Sequence, residues 1–341
     1  MNKIIYAAVA LLAGFHSLSG AAPAVKSCKV DGYVGDRIDA CINGRVMAQD
    51  VDILVEPFRH LTEGDRWQME FIGKWMLGAI DTYRYQPTPE LLAKITDAAV
   101  KLMDTQQADG YIGNYKIEDR LKQWDVWGRK YCALSLLDYY RLTGDKRALT
   151  TVERLIDDLI NDLASAGTEI SATGNYRGMA SCSILEPTVY LYRLSGKEKY
   201  LDFAKSIVES IEREGNSQLV TKGRADIPVA HRFEFPKQWW SYENGHKAYE
   251  MMSCYVGLME LGKEIGNPSY LEAAIKTADN IIRNEINIAG SGAAFECWGD
   301  WKTSQTTPAY HTMETCVTFT WMQYLSKLWE QTGNPHYADE F

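Results

Sequence analysis

The chain has 341 residues, 46% of them hydrophobic, which is enough to bury a large core in one or two domains. Its formal charge is −9, with acidic and basic residues interspersed. No basic patch is interleaved with aromatics, and this argues against a nucleic-acid partner.

Lys3 precedes an apolar run, Ile4 to Phe15, and small residues follow through Ser19-Gly20-Ala21-Ala22. The pattern predicts a secretory signal peptide over residues 1–22 and hence an exported protein, periplasmic or extracellular. The run is too short for a membrane span, and nothing later in the mature chain is apolar enough to be one. A Gly-containing lead-in, residues 23–48, carries Cys28 and Cys41, which an oxidising compartment would allow to pair. The seven cysteines are an odd set, so at least one thiol stays unpaired. Cys132 and Cys254 fall in helical patterns and read as buried. No CxxC occurs, so a four-ligand structural zinc site is not visible.

From residue 49 the chain reads as helical hairpins. A helix over 67–84 turns at Pro87-Thr88-Pro89 into a helix over 90–107. Gly144, Gly196, Gly266 and Gly333 each follow an apolar or aromatic helix end and mark C-caps. The first three lead into amphipathic helices predicted at 146–164, 198–213 and 268–285. Short turns join the helices within a pair, while segments near 108–128, 165–182, 214–245 and 286–314 join one pair to the next. Pairs stacked side by side place all four long segments at one end, where function concentrates. The expected fold is all-α, an (α/α)6-barrel of helical hairpins over residues 49–341. Five hairpins are countable, the fifth with only the start of its second helix, so the barrel is expected to be incomplete at the C-terminus and to leave an apolar flank near residues 317–329.

The long segments are rich in chemistry. The chain holds 10 Trp and 20 Tyr. Trp124 and Trp127 lie in the first segment with Asp125, and Trp239, Trp240 and Tyr242 lie in the third, just before His246. The last segment holds Glu296, Cys297, Trp298, Tyr310, His311 and Glu314, with Cys316 two residues further on. Flat rings beside carboxyls suit sugars, whose C–H faces stack while their hydroxyls are hydrogen-bonded; the plainer alternative is that the rings cap the helical core. Glu314 and Cys316, two apart, face the same way in an extended stretch entering a helix and could hold one metal ion. The alternative there is a tight loop with a buried cysteine.

The stretches WQMEFIGKW (Trp67–Trp75), QQADGYIGNY (Gln106–Tyr115), WDVWGRKY (Trp124–Tyr131), SILEPTVYLYRLSG (Ser183–Gly196), GHKAYEMMSCYVGLMEL (Gly245–Leu261) and GSGAAFECW…METCVTFTW occur in this order. With them the chain resembles glycoside hydrolase family 127, whose type activity is β-L-arabinofuranosidase. The resemblance implies a six-pair α/α barrel followed by β-sandwich domains, which would lie beyond residue 341. It also implies a zinc ion held by Glu314, Cys316 and a downstream cysteine pair, one of which is the nucleophile, with Glu296 as general acid/base and His246 as a sugar contact. On this reading Trp124, Trp127, Trp298 and Tyr310 bind substrate, an oligo- or polysaccharide of plant type. The cysteine pair would lie after Phe341. Two further helix-borne histidines of the family are not matched, since Tyr131 stands near one and no His occupies the Ser183–Glu186 region of the other. The loop glutamate stands in Phe-Glu-Cys-Trp rather than the family's Gly-Glu-Ala-Phe, which leaves the sugar open. The alternatives are a metal-free glycosidase using Glu296 and Glu314 as its carboxyl pair, or a noncatalytic glycan-binding α/α module.

Overall fold

A computed structural model describes residues 29–304 and 313–341. The predicted signal peptide, Cys28, Tyr310 and His311 lie outside these residues. Two short helices, α1 (Gly32–Cys41) and α2 (Val51–Val55), lead in. Five helical pairs follow: α3 (Met69–Tyr85) with α4 (Pro89–Asp104), α5 (Asp125–Thr143) with α6 (Lys146–Ala166), α8 (Leu185–Ser195) with α9 (Glu198–Glu212), α11 (Ala248–Ile265) with α12 (Pro268–Asn284), and α13 (Thr315–Thr332) with the short α14 (His336–Glu340). Two small helices, α7 (Met179–Cys182) and α10 (Leu219–Arg224), sit in the long connections. Among the described residues there are no strands, only isolated bridges between loops. None of the described helices is long and apolar enough to cross a membrane.

Local chemistry accounts for the hairpins. The first helix of four pairs ends on glycine in the left-handed region, φ +75° at Gly144, +66° at Gly196, +67° at Gly266 and +65° at Gly333. There the glycine N–H closes onto a carbonyl four residues back, as from Gly144 to Tyr140 at 2.7 Å. The partner helices open on side-chain caps. Thr88 accepts from Leu91 N–H and Asn267 from Ser269 N–H, each with proline at the first helical position, and Asp145 accepts from Arg147 N–H.

The first helices of the pairs, α3, α5, α8, α11 and α13, pack in sequence around an interior, and their partners lie outside. They run parallel. Their C-terminal ends are laced together at the short-turn end by Arg84 with Asp138 (2.7 Å), Arg193 with Glu260, and Lys327 with Glu260 (3.0 Å). Close approach uses glycine at Gly73, where a Cβ would fall 2.4 Å from the Tyr131 carbonyl oxygen. The ends of the arc, α3 and α13, make no substantial packing contact among the described residues. On α13 the face with Phe319 and Trp329 is exposed, while Val317, Trp321, Tyr324, Leu325 and Leu328 are buried. Cys132, Cys182 and Cys254 are fully or almost fully buried thiols, and Cys41 is an exposed one.

At the opposite end the long connections hold each other. Gly174 N–H donates to Leu121 O (3.0 Å), Arg177 N–H to Tyr242 O (2.8 Å), and Trp298 N–H to His246 O (2.9 Å). The first connection is anchored on a buried arginine. Arg129 donates to Asp125, Asp158 and Asp162 at 2.6–3.1 Å, and the Tyr111 ring is stacked between Arg129 and Arg120. The described parts of the long loops therefore converge on the mouth formed by the N-termini of the inner helices.

Candidate active site

The mouth is built around the loop between α12 and α13. Glu285, fully buried, accepts from the backbone N–H of Gly299, Asp300 and Trp301 at 3.0–3.4 Å and fixes the far side of this loop. Burial pushes its carboxyl above the usual range, and the three N–H groups oppose that rise. Ala293, Phe295, Glu296 and Asp300 all sit at positive φ, between +55° and +62°. Such a conformation costs a non-glycine residue of order 1 kcal/mol or more and persists only where the surroundings impose it. Here they do: Ala248 N–H donates to Glu296 O at 2.8 Å, Lys247 bridges to Cys297, and Ala294 bridges to Met313.

The Ala294–Met313 bridge lays the Glu296 segment beside the Glu314 segment. Glu314 is the N-cap residue of α13, in extended conformation, and Cys316 follows in the first turn. Burial raises the Glu314 pKa and the nearby Glu296 charge adds to it, opposed by a hydrogen bond from Cys316. Cys316 is exposed, yet partial desolvation pushes its thiol up to about 11, with Glu314 reinforcing it. Three of the predicted residues, Glu296, Glu314 and Cys316, are thus brought together. Glu314 and Cys316 offer a carboxylate and a thiolate to one cation, half of a tetrahedral zinc shell. Among the described residues no third His, Cys, Asp or Glu joins them in a metal-binding group.

The predicted sugar contacts fare differently. Trp124 keeps part of its surface exposed and meets Trp67, Trp127 and Tyr176 edge-on, with centroids at 5.6–6.3 Å. Trp127, Trp298 and His246 are buried and present no ring face to solvent. Trp127 points from α5 toward α3, where its indole N–H is held by Glu70. Trp298 packs into the main core. His246 shares a hydrogen bond at Nε2 with the Phe233 carbonyl (3.0 Å), leaves Nδ1 without a partner, and has its pKa lowered by burial. Exposed rings beside Trp124 or in the connection before α11 include Trp67, Phe235, Trp240 and Tyr242.

Several polar groups at the mouth were not singled out from sequence. Lys247 is 1% exposed and forms an ion pair with Glu296. Burial pulls its pKa down, but Glu250, Tyr176 and Glu296 more than offset this and hold the ammonium charged. Glu250, in the first turn of α11, is buried with Oε2 unpartnered. Burial pushes its carboxyl up to about 7, opposed by Lys247 and aided by the Glu296 charge. On α3, Lys74 pairs with Glu70 at 2.9 Å and lies over the rings of Trp127, Tyr131 and Tyr249. A signal was available: Lys247 and Glu250 are three apart at a helix start immediately after His246, and Glu70 and Lys74 are four apart in WQMEFIGKW.

No curated protein matches the chain in sequence. Among solved structures it is similar to a GH127 β-L-arabinofuranosidase from Geobacillus stearothermophilus T6, with 18% identity over 92% of this chain and 54% of that one and a TM-score of 0.65. A second GH127 β-arabinofuranosidase gives 18% identity, 92% and 52% coverage and a TM-score of 0.63. A D-mannose isomerase gives 13% identity, 94% and 85% coverage and a TM-score of 0.56. The chain spans about half the length of the GH127 structures it resembles, and at these identities the likeness shows the fold. The sequence model of the β-L-arabinofuranosidase GH127 catalytic domain matches residues 27–341, and the chain belongs to that family of glycoside hydrolases.

Proposed function

We propose that this chain is the barrel portion of an exported, retaining glycoside hydrolase that releases a sugar such as L-arabinofuranose from plant-type glycans. The observation that carries the reading is the convergence of Glu296, Glu314 and Cys316 at the mouth, pinned by the Ala294–Met313 bridge. Glu296 is the acid/base: its side chain is 34% exposed and reachable by a glycosidic oxygen, and Lys247 holds it in place from the buried side. Glu314 and Cys316 are two donors to a zinc ion, which when bound supplies positive charge that keeps thiols ionised. The nucleophile is a further cysteine outside the residues of this chain. Trp124 and the exposed rings before α11 offer faces for the sugar and its neighbours. Export rests on the apolar N-terminal run.

The Lys247–Glu296 ion pair favours a second arrangement of the same reaction. A carboxyl held by a buried ammonium suits a nucleophile or base, with Glu314, whose pKa burial raises, as the acid and no metal, as in two-carboxyl glycosidases. Bound metal and two variants of the full-length protein separate these. With zinc, Glu296→Gln keeps the metal and the cleavage of activated aryl glycosides but loses natural substrate, while Glu314→Gln loses metal and all activity together. Wild-type turnover of natural substrate by Glu296→Gln would refute the assignment. Full activity in metal-free protein would select the two-carboxyl arrangement.

A further inference from the structure

The first two turns of α3 carry a carboxyl and an ammonium that the proposed chemistry does not use. Glu70 and Lys74, one turn apart, leave the helix on one face and pair at 2.9 Å. Glu70 also accepts from the Trp127 indole N–H. The Lys74 ammonium lies over the rings of Tyr249 (4.8 Å to the centroid), Tyr131 (5.1 Å) and Trp127 (6.0 Å), and it is hydrogen-bonded with Tyr249. The Tyr131 and Tyr249 hydroxyls are hydrogen-bonded to each other.

This group belongs to the mouth and can be reached. Tyr249 is in the first turn of α11, two residues after the Lys247 that pairs with Glu296. The Lys74 charge reaches Glu314, where it acts together with that of Lys247. The Lys74 side chain keeps 28% of its surface and that of Glu70 keeps 11%. An ammonium has three N–H donors, and a carboxylate has about four acceptor positions. Glu70 takes one Lys74 donor and Tyr249 a second, so one donor remains beside a carboxylate with acceptor capacity to spare. Three rings fence the ammonium and set its position before a ligand arrives. Glu70 neutralises it, so the pair offers no net charge to an acidic sugar.

We infer that Lys74 and Glu70 are specificity-determining residues that clamp two neighbouring hydroxyls of a neutral sugar: Lys74 Nζ donates to one hydroxyl oxygen, and the other hydroxyl donates to Glu70. Hydroxyls on adjacent ring carbons are near enough to be taken by a donor and an acceptor that are themselves neighbours. The clamp rests on the glycosidase reading of the mouth and adds the feature of the substrate that is read there.

The test uses the full-length protein with 4-nitrophenyl β-L-arabinofuranoside and its 2-, 3- and 5-deoxy analogues. Lys74→Met is expected to lower kcat/KM by about ten- to hundredfold on the parent, the worth of a hydrogen bond to a charged group. The 5-deoxy glycoside keeps the neighbouring hydroxyls and should show the same loss. On either the 2-deoxy or the 3-deoxy glycoside the loss should be under about threefold, because the hydroxyl that Lys74 serves is already gone. Equal losses on all four glycosides would mean that Lys74 only supports the fold, and would overturn the clamp. If Lys74→Met does not fold, Tyr249→Phe, which releases the ammonium, should give the same uneven pattern at smaller size. Ligand-observed NMR with the methyl glycosides reads binding apart from turnover. Wild type should prefer the parent to one of the 2- and 3-deoxy analogues, and Lys74→Met should remove that preference. Preference without hydrolysis refutes the catalytic reading and leaves the clamp standing. Hydrolysis with no such preference, or no binding at all, overturns the clamp.

Discussion

Lys247→Met tests the electrostatic core of the site. The ammonium is 1% exposed and sits between Glu296 and the buried carboxyl of Glu250. Glu250 already has its pKa lifted from 4.5 to about 7, which is worth about 3 kcal/mol. The sign follows from proton uptake. A carboxyl with a raised folded-state pKa binds its proton more tightly when folded, so its contribution is fully present below about pH 4.5 and is lost as pH rises through about 7. Without Lys247 both carboxyls lose a cation and this loss extends further. Breaking a buried pair costs about 3–5 kcal/mol, and the one-third exposure of Glu296 moderates that. We expect Lys247→Met to cost about 1 kcal/mol at pH 5, where Glu250 is protonated, and about 3 kcal/mol at pH 8. Urea denaturation at both pH values reads this directly, and adding Glu250→Gln should flatten the difference. Equal costs at pH 5 and pH 8, or a cost under about 0.5 kcal/mol at both, would refute the assignment of Lys247 as the shared counter-ion.

Other consequences are more local. Gly73→Ala drives a methyl against the Tyr131 carbonyl, with 2.4 Å available, and should lower stability by about 1–3 kcal/mol, seen as a lower Tm. Arg129→Met strips a charge partner shared by Asp125, Asp158 and Asp162 and should cost about 3–5 kcal/mol. Burial pushes Asp158 up to about 6. Urea midpoints should therefore show a smaller loss at pH 5, where Asp158 takes up a proton, than at pH 7.5. Glu285→Gln weakens the anchor of residues 299–301 and should cost about 1–3 kcal/mol, with faster amide exchange at those three positions.

The hairpins were legible because their signals are local. Glycine stops and Asp, Thr or Asn starts bracket apolar periods, and the second helices, predicted at 146–164, 198–213 and 268–285, fall at Lys146–Ala166, Glu198–Glu212 and Pro268–Asn284. The small helices α1, α2, α7 and α10 end without a glycine stop and were not foreseen. At the site, Glu296, Glu314 and Cys316 stood out because carboxyl and thiol are rare together in a loop. Trp127, Trp298 and His246 were expected at the sugar-facing surface, yet they are buried. Sequence shows a ring in a loop but not which side the loop turns inward, and that is decided by distant partners such as Glu70 and Phe233. Lys247 and Glu250 were passed over for the converse reason: charged residues at a helix start normally read as solvated.

The parallel run of the inner helices has an electrostatic consequence. Each N-terminus carries about half a positive charge from aligned peptide dipoles, so five of them direct roughly two and a half charges into the mouth. Each of these helices also places an acidic residue in its first turn or cap: Glu70, Asp125, Glu186, Glu250 and Glu314. About half a charge offsets only part of an ionised carboxyl, and the ammonium groups of Lys74 and Lys247 supply further positive charge at the same end, leaving a strongly polar rim of mixed sign. A neutral sugar would then approach without electrostatic steering, at a rate indifferent to ionic strength. Positive charge developing within the rim would meet the Glu296 carboxyl, which is about one-third exposed.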